Sequence, residues 1–251
     1  MNMQKTAGDA KLPGITVVIP AYNEEKYLGA TLDSLLQQDY PKKKLEIILA
    51  DHNSTDSTVK IAKAHGVKVV HATKAAPHRV GAVRHEGAMQ AANKTEIIVF
   101  TDADVNAPPN WLRKLMQPYD NPYVIGVQGA ALPLDGSIFQ TILTRALFVP
   151  YWGVMALLNH PSGPGSNFSI RKSTYFKLGG FDAGLVTCED IDLAVRATKL
   201  GKFYFLGNAP VYVSMRRVKK WGTIKFFFFH AINSLRYALY GRASEEYDEI
   251  R

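Results

Sequence analysis

Ile15-Thr16-Val17-Val18-Ile19-Pro20-Ala21-Tyr22-Asn23-Glu24-Glu25 is the stretch that decides the fold. A short β-branched run, Ile15 to Ile19, gives way at Pro20 to a polar turn. Uninterrupted apolar runs of this length suit strands buried on both faces. Asn23 then reads as the cap of a helix, with Glu24 and Glu25 in its first turn, where the helix dipole favours acids. Leu28, Leu32, Leu35 and Leu36 fall on one face of that helix.

The same pattern repeats downstream. Leu45 to Ala50 is a second strand, Ser54-Thr55-Asp56 opens a second helix, and Val67 to Val70 is a third strand. Val80 to Ala92 has helical spacing, and Glu96 to Thr101 is a fourth strand. Strands alternating with helices predict an α/β chain with a mostly parallel, doubly wound sheet. After Asp104 the alternation loosens. A helix is expected from Asn110 to Met116, strands near Val124 to Ala130 and Asn167 to Arg171, a turn at Gly179 to Asp182, and a helix from Glu189 to about Lys199. No linker composition separates the halves at residue 105.

Composition narrows the classes. With 47% hydrophobic and 21% charged residues, disorder throughout is excluded. The single cysteine, Cys188, excludes an intramolecular disulfide framework and a Cys-rich zinc site, and fits a reducing compartment. A net charge of +8 permits nucleic acid, an anionic membrane or a phosphorylated substrate. The basic residues are scattered and no nucleic-acid module is present, so a nucleic-acid partner is not expected. The lead, residues 1–14, reads as disordered and carries no signal peptide. Neither Ile138 to Leu158 nor Phe226 to Tyr240 is an uninterrupted apolar run of about 18 residues, as a membrane span requires.

Ligands of doubly wound sheets bind beyond the carboxyl ends of the strands. Those positions read Pro20 to Glu24, Asp51 to Asp56 and Thr101 to Asp104. There is no Gly-rich dinucleotide fingerprint and no Walker lysine. Asp102 and Asp104, at i and i+2, suit either a shared hard divalent cation, Mg²⁺ or Mn²⁺, or a solvated turn. Asp51, at a strand tip, is expected to accept hydrogen bonds from a base or ribose, whereas Asp56 reads as part of a helix cap. Glu189, Asp190 and Asp192 suit a helix start whatever their role. Asp192 reads as structural, and a cleft-facing acid among them could serve as general base. His78, Arg79, Arg84 and His85, and the Arg216 to Lys220 cluster with Arg217, could clamp phosphate or form solvated faces.

These residues together resemble the inverting glycosyltransferases of family 2. The resemblance runs from Val17-Val18-Ile19-Pro20-Ala21-Tyr22-Asn23-Glu24 through Asp51-His52-Asn53-Ser54-Thr55-Asp56, Arg84-His85-Glu86-Gly87 and Phe100-Thr101-Asp102-Ala103-Asp104. It continues with Asn167 to Arg171, Gly179 to Asp182 and Glu189-Asp190-Ile191-Asp192. It implies the GT-A fold, a Rossmann-like sheet flanked by helices with a C-terminal amphipathic helical segment. On this reading residues 15–215 form the catalytic domain, a nucleotide half (15–105) and an acceptor half (106–215), and residues 216–251 a basic, aromatic tail.

The resemblance also implies a donor, a UDP- or GDP-sugar, and a divalent metal. Pro20, Tyr22, Glu24, Asp51, Arg84, Asp102 and Arg217 would surround the nucleotide and diphosphate, and Asp102 and Asp104 would hold the metal. Asp190, beside Glu189, would be the base that deprotonates the acceptor. The expected acceptor is a hydroxyl on a glycan or lipid-linked molecule. A polyprenyl phosphate is the alternative acceptor, and sugar nucleotidyl transfer a more distant reading. His52, His85 and the reduced Arg217-Val218-Lys219-Lys220-Trp221 depart from the family's pattern, and the last weakens a processive reading. The Trp221 to Tyr240 segment, basic at its start, can lie in a membrane interface or pack on the domain. The expected location is the cytoplasm, peripheral on the membrane.

Overall fold

The computed structural model describes Asp9 and residues 11–76, 79–241, 243 and 244. Most of the expected lead (1–8 and 10), His78, and residues 242 and 245–251 of the tail lie outside the described residues. Asp9 is held by Arg113 at 2.5 Å, and the Tyr40 hydroxyl donates to the Pro13 carbonyl at 2.6 Å.

The chain alternates as β1 (Ile15–Ala21), α1 (Leu28–Leu36), β2 (Leu45–Asp51), α2 (Thr58–Ala64), β3 (Lys68–His71), α3 (Val80–Ala88) and β4 (Ile97–Phe100). It goes on through β5 (Val105–Asn106), α4 (Trp111–Met116), β6 (Val124–Pro133), α5 (Ile138–Leu143) and α6 (Val149–Leu157). Last come β7 (Phe168–Arg171), α7 (Lys172–Lys177), α8 (Glu189–Thr198), β8 (Lys202–Val213), α9 (Arg216–Trp221) and α10 (Thr223–Tyr240). The eight strands make one sheet in the order β3-β2-β1-β4-β7-β6-β8-β5. β3, β2, β1 and β4 are mutually parallel. β7 is antiparallel to β4 and β6, β6 is parallel to β8, and β5 closes the edge antiparallel to β8.

All seven residues of β1 are buried, because both faces of its sheet are covered. Val17 and Ile19 meet Leu28, Leu32 and Leu35 of α1 and Trp111 of α4 on one face. Val18 meets Val83 of α3, Phe168, and Leu193 of α8 on the other. Period-two alternation along a strand feeds both layers, and each fully buried Leu or Val contributes roughly 1.5–3 kcal/mol.

The helix starts differ from the reading of the sequence. Asn23 caps nothing: it adopts φ 54, and α1 begins only at Leu28. Its N–H donates to Ser54 Oγ (2.9 Å) and its Oδ1 accepts from the Thr55 N–H (2.8 Å). Ser54 to Asp56 likewise precede α2. Asp56 accepts from the N–H groups of Thr58 and Glu25. Residues that cap locally can instead tie two loops together, and here the tie wins. α3 stops at Ala88 rather than Ala92. Asn167 sits in a one-turn 3₁₀ segment, its side chain buried between the Ala130 and Ala209 carbonyls and the Trp111 indole. The apolar 138–158 stretch is helical. α5 starts in a Ser137–Gln140 capping box and passes through a π-turn, Thr144–Phe148, into α6, which tolerates Pro150 in its first turn.

Candidate active site

A cavity of about 480 Å³ opens at the carboxyl ends of β1, β2 and β4, as the topology requires. β1 and the turn after it supply Pro20, Tyr22 and Glu24, the loop after β2 supplies His52, and the loop after β4 supplies Asp102 and Asp104. Arg84 comes from α3, Glu189 and Asp190 from α8, and Arg216 and Arg217 from α9. The first two loops brace each other. Besides the Asn23 ties, the Glu24 N–H donates to Thr58 Oγ1 at 2.7 Å and the Ser57 N–H to Glu25 Oε2 at 3.0 Å.

Two arginines hold the acids apart. Buried Arg84 donates from Nη2 to Asp102 Oδ1 (2.6 Å) and from Nη1 to Glu189 Oε1 (2.8 Å), while its Nε is buried and has no hydrogen-bond partner among the described residues. Arg216 grips both oxygens of Glu24 at 2.7 Å and brings Nε to 2.9 Å from Asp104 Oδ2. Such forked contacts are among the stronger ionic hydrogen bonds. Burial lifts Asp104 to about 7, with Arg216 opposing and Asp102 and Glu24 adding to the lift. Burial and Asp190 push Glu189 up against the pull of Arg84. Burial also raises Asp190, again with Arg84 opposing.

The paired acids of α8 therefore differ in kind. Glu189 is tied to Arg84. Asp190 lines the cavity, its Oδ1 accepting from the Ile191 N–H (2.9 Å) and its Oδ2 under the backbone of Gly165. A Cβ at Gly165 would stand 2.7 Å from that oxygen, so the loop approaches as closely as it does because residue 165 is glycine. Cys188, just before the pair, holds a left-handed φ of 61, which costs a non-glycine residue roughly 1–2 kcal/mol. That backbone starts α8 with its first acids at the cavity.

Most of the expected residues converge here: Pro20, Tyr22, Glu24, Arg84, Asp102, Asp104, Glu189, Asp190 and Arg217 all line the cavity. Asp51 is absent from its walls. It is buried beneath the second loop, accepting from the Ser54 N–H and lying 3.4 Å from His71 Nδ1, and the next residue, His52, faces the cavity instead. Asp192 is structural: it binds Arg196 at 2.5 Å and accepts from the Tyr237 hydroxyl at 2.7 Å. His85 packs on Tyr175, its Nδ1 2.9 Å from the hydroxyl. Arg216 sits in a run of cations, and nothing in the sequence tells that it is this arginine that pairs with Glu24 and Asp104. The helices around 138–158 and 223–240 also contribute Phe148, Trp152, Phe226, Phe227 and His230 to the far wall.

Asp102 and Asp104 fit a hard divalent cation. Both are carboxylates; Arg84 is bonded to one oxygen of Asp102 and Arg216 to one oxygen of Asp104, and among the described residues the second oxygen of each acid is left for a cation. Among the described residues no group of three or more His, Cys, Asp or Glu side chains could hold a metal. Two carboxylates suffice for Mg²⁺, which keeps several positions for water or phosphate. The lift on Asp104 comes chiefly from burial, with smaller additions from Asp102 and Glu24, and a dication at its carboxylate would favour the ionised form.

Known proteins agree with this architecture. The chain is 29% identical over 204 residues to the probable glycosyltransferase YdaM of Bacillus subtilis, covering 76% of this chain and 48% of that protein. It is 36% identical over 94 residues to the 4,4'-diaponeurosporenoate glycosyltransferase of Staphylococcus aureus, covering 36% of this chain and 24% of that one. The chain thus spans about half the length, or less, of these curated relatives. Among solved structures, the mannosyltransferase PcManGT from Pyrobaculum calidifontis, in complex with GDP-Man and Mn²⁺, has a TM-score of 0.72 at 20% identity, with 94% of this chain and 67% of that one covered. Glucosyl-3-phosphoglycerate synthase from Mycobacterium tuberculosis, in complex with Mn²⁺, UDP and glucosyl-3-phosphoglycerate, has a TM-score of 0.60 at 21% identity, covering 96% and 84%. These two share the GT-A fold with this chain. The model of glycosyl transferase family 2 matches residues 16–181, from β1 to the turn before α8, and the chain belongs to that family.

Proposed function

We propose that this chain transfers a sugar from a UDP- or GDP-sugar to a hydroxyl on a glycan or lipid-linked acceptor, at an anionic membrane surface, with inversion at the anomeric carbon. The observation that carries the reading is the division of labour on α8. Asp190 stands open in a cavity whose other acids are engaged by arginines, and burial raises it toward the range useful to a general base. The acceptor oxygen attacks the anomeric carbon as its proton passes to Asp190. The bond from that carbon to the diphosphate oxygen breaks, and a nucleoside diphosphate leaves. The transition state is oxocarbenium-like, as in glycoside chemistry generally.

The remaining residues bind and orient. Pro20, Tyr22, Glu24 and His52 border the nucleotide end, and Arg217 the diphosphate end. Arg84 positions Asp102 and Glu189 and screens Asp190. Asp102 and Asp104 would hold Mg²⁺ or Mn²⁺, which supplies positive charge beside a departing diphosphate. The solved neighbours carrying GDP-Man or UDP with Mn²⁺ or Mg²⁺ support this choice of donor and metal. Asp51, which accepts from the Ser54 N–H, shapes the second loop beside the nucleotide end.

The test measures nucleoside diphosphate released from UDP- and GDP-sugars with Mn²⁺, alongside the thermal shift each donor produces. One donor class should raise the melting temperature in a metal-dependent way. Asp190→Asn should keep that shift and lose turnover by about 10²–10⁴-fold. Wild-type turnover in Asp190→Asn, or no donor shift from folded protein, would sink the reading.

A further inference from the structure

Surface helices usually turn their apolar stripe inward; α10 packs Phe226 and Phe227 inward and keeps a second, aliphatic stripe facing out. Ile224, Phe228, Ile232, Leu235 and Leu239 recur at three- and four-residue steps and are between 40% and 86% exposed. The inward side of the helix also carries polar groups that are engaged. Asn233, buried, donates to Thr187 Oγ1 at 2.9 Å and accepts from the Ser244 N–H at 2.7 Å, and Tyr237 donates to Asp192. These bonds fix the rotation of α10 with its aliphatic stripe facing out. α5 and α6 lie alongside, joined by a Phe148–Phe227 stack at 4.4 Å and by Gln140 donating to Thr223 at 2.9 Å, and they leave Ile138 and Leu157 more than 80% exposed.

The charge around this face has one sign. No Asp or Glu occurs from 136 to 181 or from 193 to 244, although the chain has 22 acids. Arg145, Lys220, Lys225 and Arg236 are exposed within those stretches. Trp221 and Tyr240 bracket α10 at its two ends, the kind of side chain that settles at headgroup level.

We propose that the outer face of α10, with α5 and α6 beside it, docks on an anionic lipid bilayer. The aliphatic stripe enters the acyl boundary and the flanking cations meet the headgroup phosphates. A second copy of the chain fits this face less well, since a two-fold contact would set the same cations against each other. No helix among the described residues is long and apolar enough to cross a membrane, so this contact lies on the surface. Phe226, Phe227 and His230 of the same helix line the cavity, which brings the cavity alongside the bilayer. The inference rests on the membrane part of the proposed function and specifies the residues that make the contact.

Co-sedimentation with vesicles tests it, using phosphatidylcholine alone or mixed with phosphatidylglycerol. Wild-type protein should pellet with the mixed vesicles and be released by salt. Phe228→Glu combined with Leu235→Glu should cut the bound fraction roughly tenfold or more, and Lys220→Glu with Lys225→Glu should weaken it similarly. The donor-induced thermal shift verifies that each variant is folded. Asp190→Asn should pellet like wild type while losing transfer, which keeps failure of docking distinct from failure of the catalytic reading. Protein that stays in the supernatant with both vesicle types overturns the proposal. So does equal binding by the Phe228→Glu, Leu235→Glu variant, or a wild-type dimer that this variant splits.

Discussion

One wall of the cavity is made of strand tips and the other of helices, and the two are built on opposite plans. At the tips of β1, β2 and β4, short loops carry Glu24, Asp102 and Asp104, each engaged by an arginine, and Asn23, Ser54 and Thr58 tie loop to loop. Across the cavity, α5, α6 and α10 bring no acid at all and turn much of their aliphatic surface outward. The first wall positions charge against a rigid sheet, which suits recognition of a charged ligand. The second is joined by a few aromatic and hydroxyl contacts. Substitutions in the first wall should therefore disturb chemistry and stability, and those in the outer face of the second should disturb neither.

The largest effect is expected at Asp190. A general base works deprotonated, so turnover falls as pH falls through its pKa. Burial raises that pKa, so the acid limb of the rate profile should lie above the ordinary carboxylate range. Asp190→Asn should flatten the limb along with the loss of about 10²–10⁴ in rate. A limb that survives in this variant would mean that another acid is the base.

Next comes Arg84, which pairs with Asp102 and Glu189 while 4% exposed. Arg84→Leu leaves two acids without their cation, and removing one member of a buried ionic group typically costs about 3–5 kcal/mol. Chemical denaturation should register that loss. Arg84→Lys keeps the charge without the fork and should fall between. An unchanged midpoint for Arg84→Leu would show that the acids shed their charge at little cost.

How far the sequence carried this comparison differs between the walls. β-branched runs such as Ile15 to Ile19 announce parallel strands because their burial is two-sided, and the strand tips then follow from topology. The motif residues on those tips were legible for that reason. Side-chain direction was not. Asp51 and His52 are neighbours, yet the first lies under its loop and the second faces the cavity; Arg216 and Arg217 both line the cavity, and no pattern announces that it is Arg216 that pairs with Glu24 and Asp104. Asn23 misled because capping and cross-loop bonding use the same side-chain oxygen, and only the approach of Thr55 decides between them. The rotation of α10 was equally hidden, since it depends on Thr187, Asp192 and Ser244, partners distant in the chain or beyond the helix.

Asp104 offers a smaller effect with a definite sign. Its folded pKa, about 7, lies above the ordinary 3.8. The folded chain thus holds this proton more tightly than the unfolded chain. The stability tied to that proton is fully present below about 4 and is lost as pH rises through 7. Asp104→Asn does not ionise and can still accept from Arg216. In metal-free buffer with chelator it should match wild type near pH 4 and exceed it at pH 8, by about 1 kcal/mol or more. Added Mn²⁺ should stabilise wild type and narrow the gap. A gap that stays constant with pH would place the ionisation elsewhere.

The smallest effect should be at Phe228, and it sharpens the contrast most directly. The side chain is 65% exposed, so folding removes little of it from water and little stability depends on it. Phe228→Glu should therefore change the unfolding free energy by no more than about 0.5 kcal/mol, as ordinary surface substitutions do. The neighbouring stacked ring, Phe227, is pinned against Phe148, and truncating it to Ala should cost distinctly more. Equal losses at 227 and 228 would mean that the outer stripe of α10 is covered in solution by protein, and the two walls would then be less different than their surfaces imply.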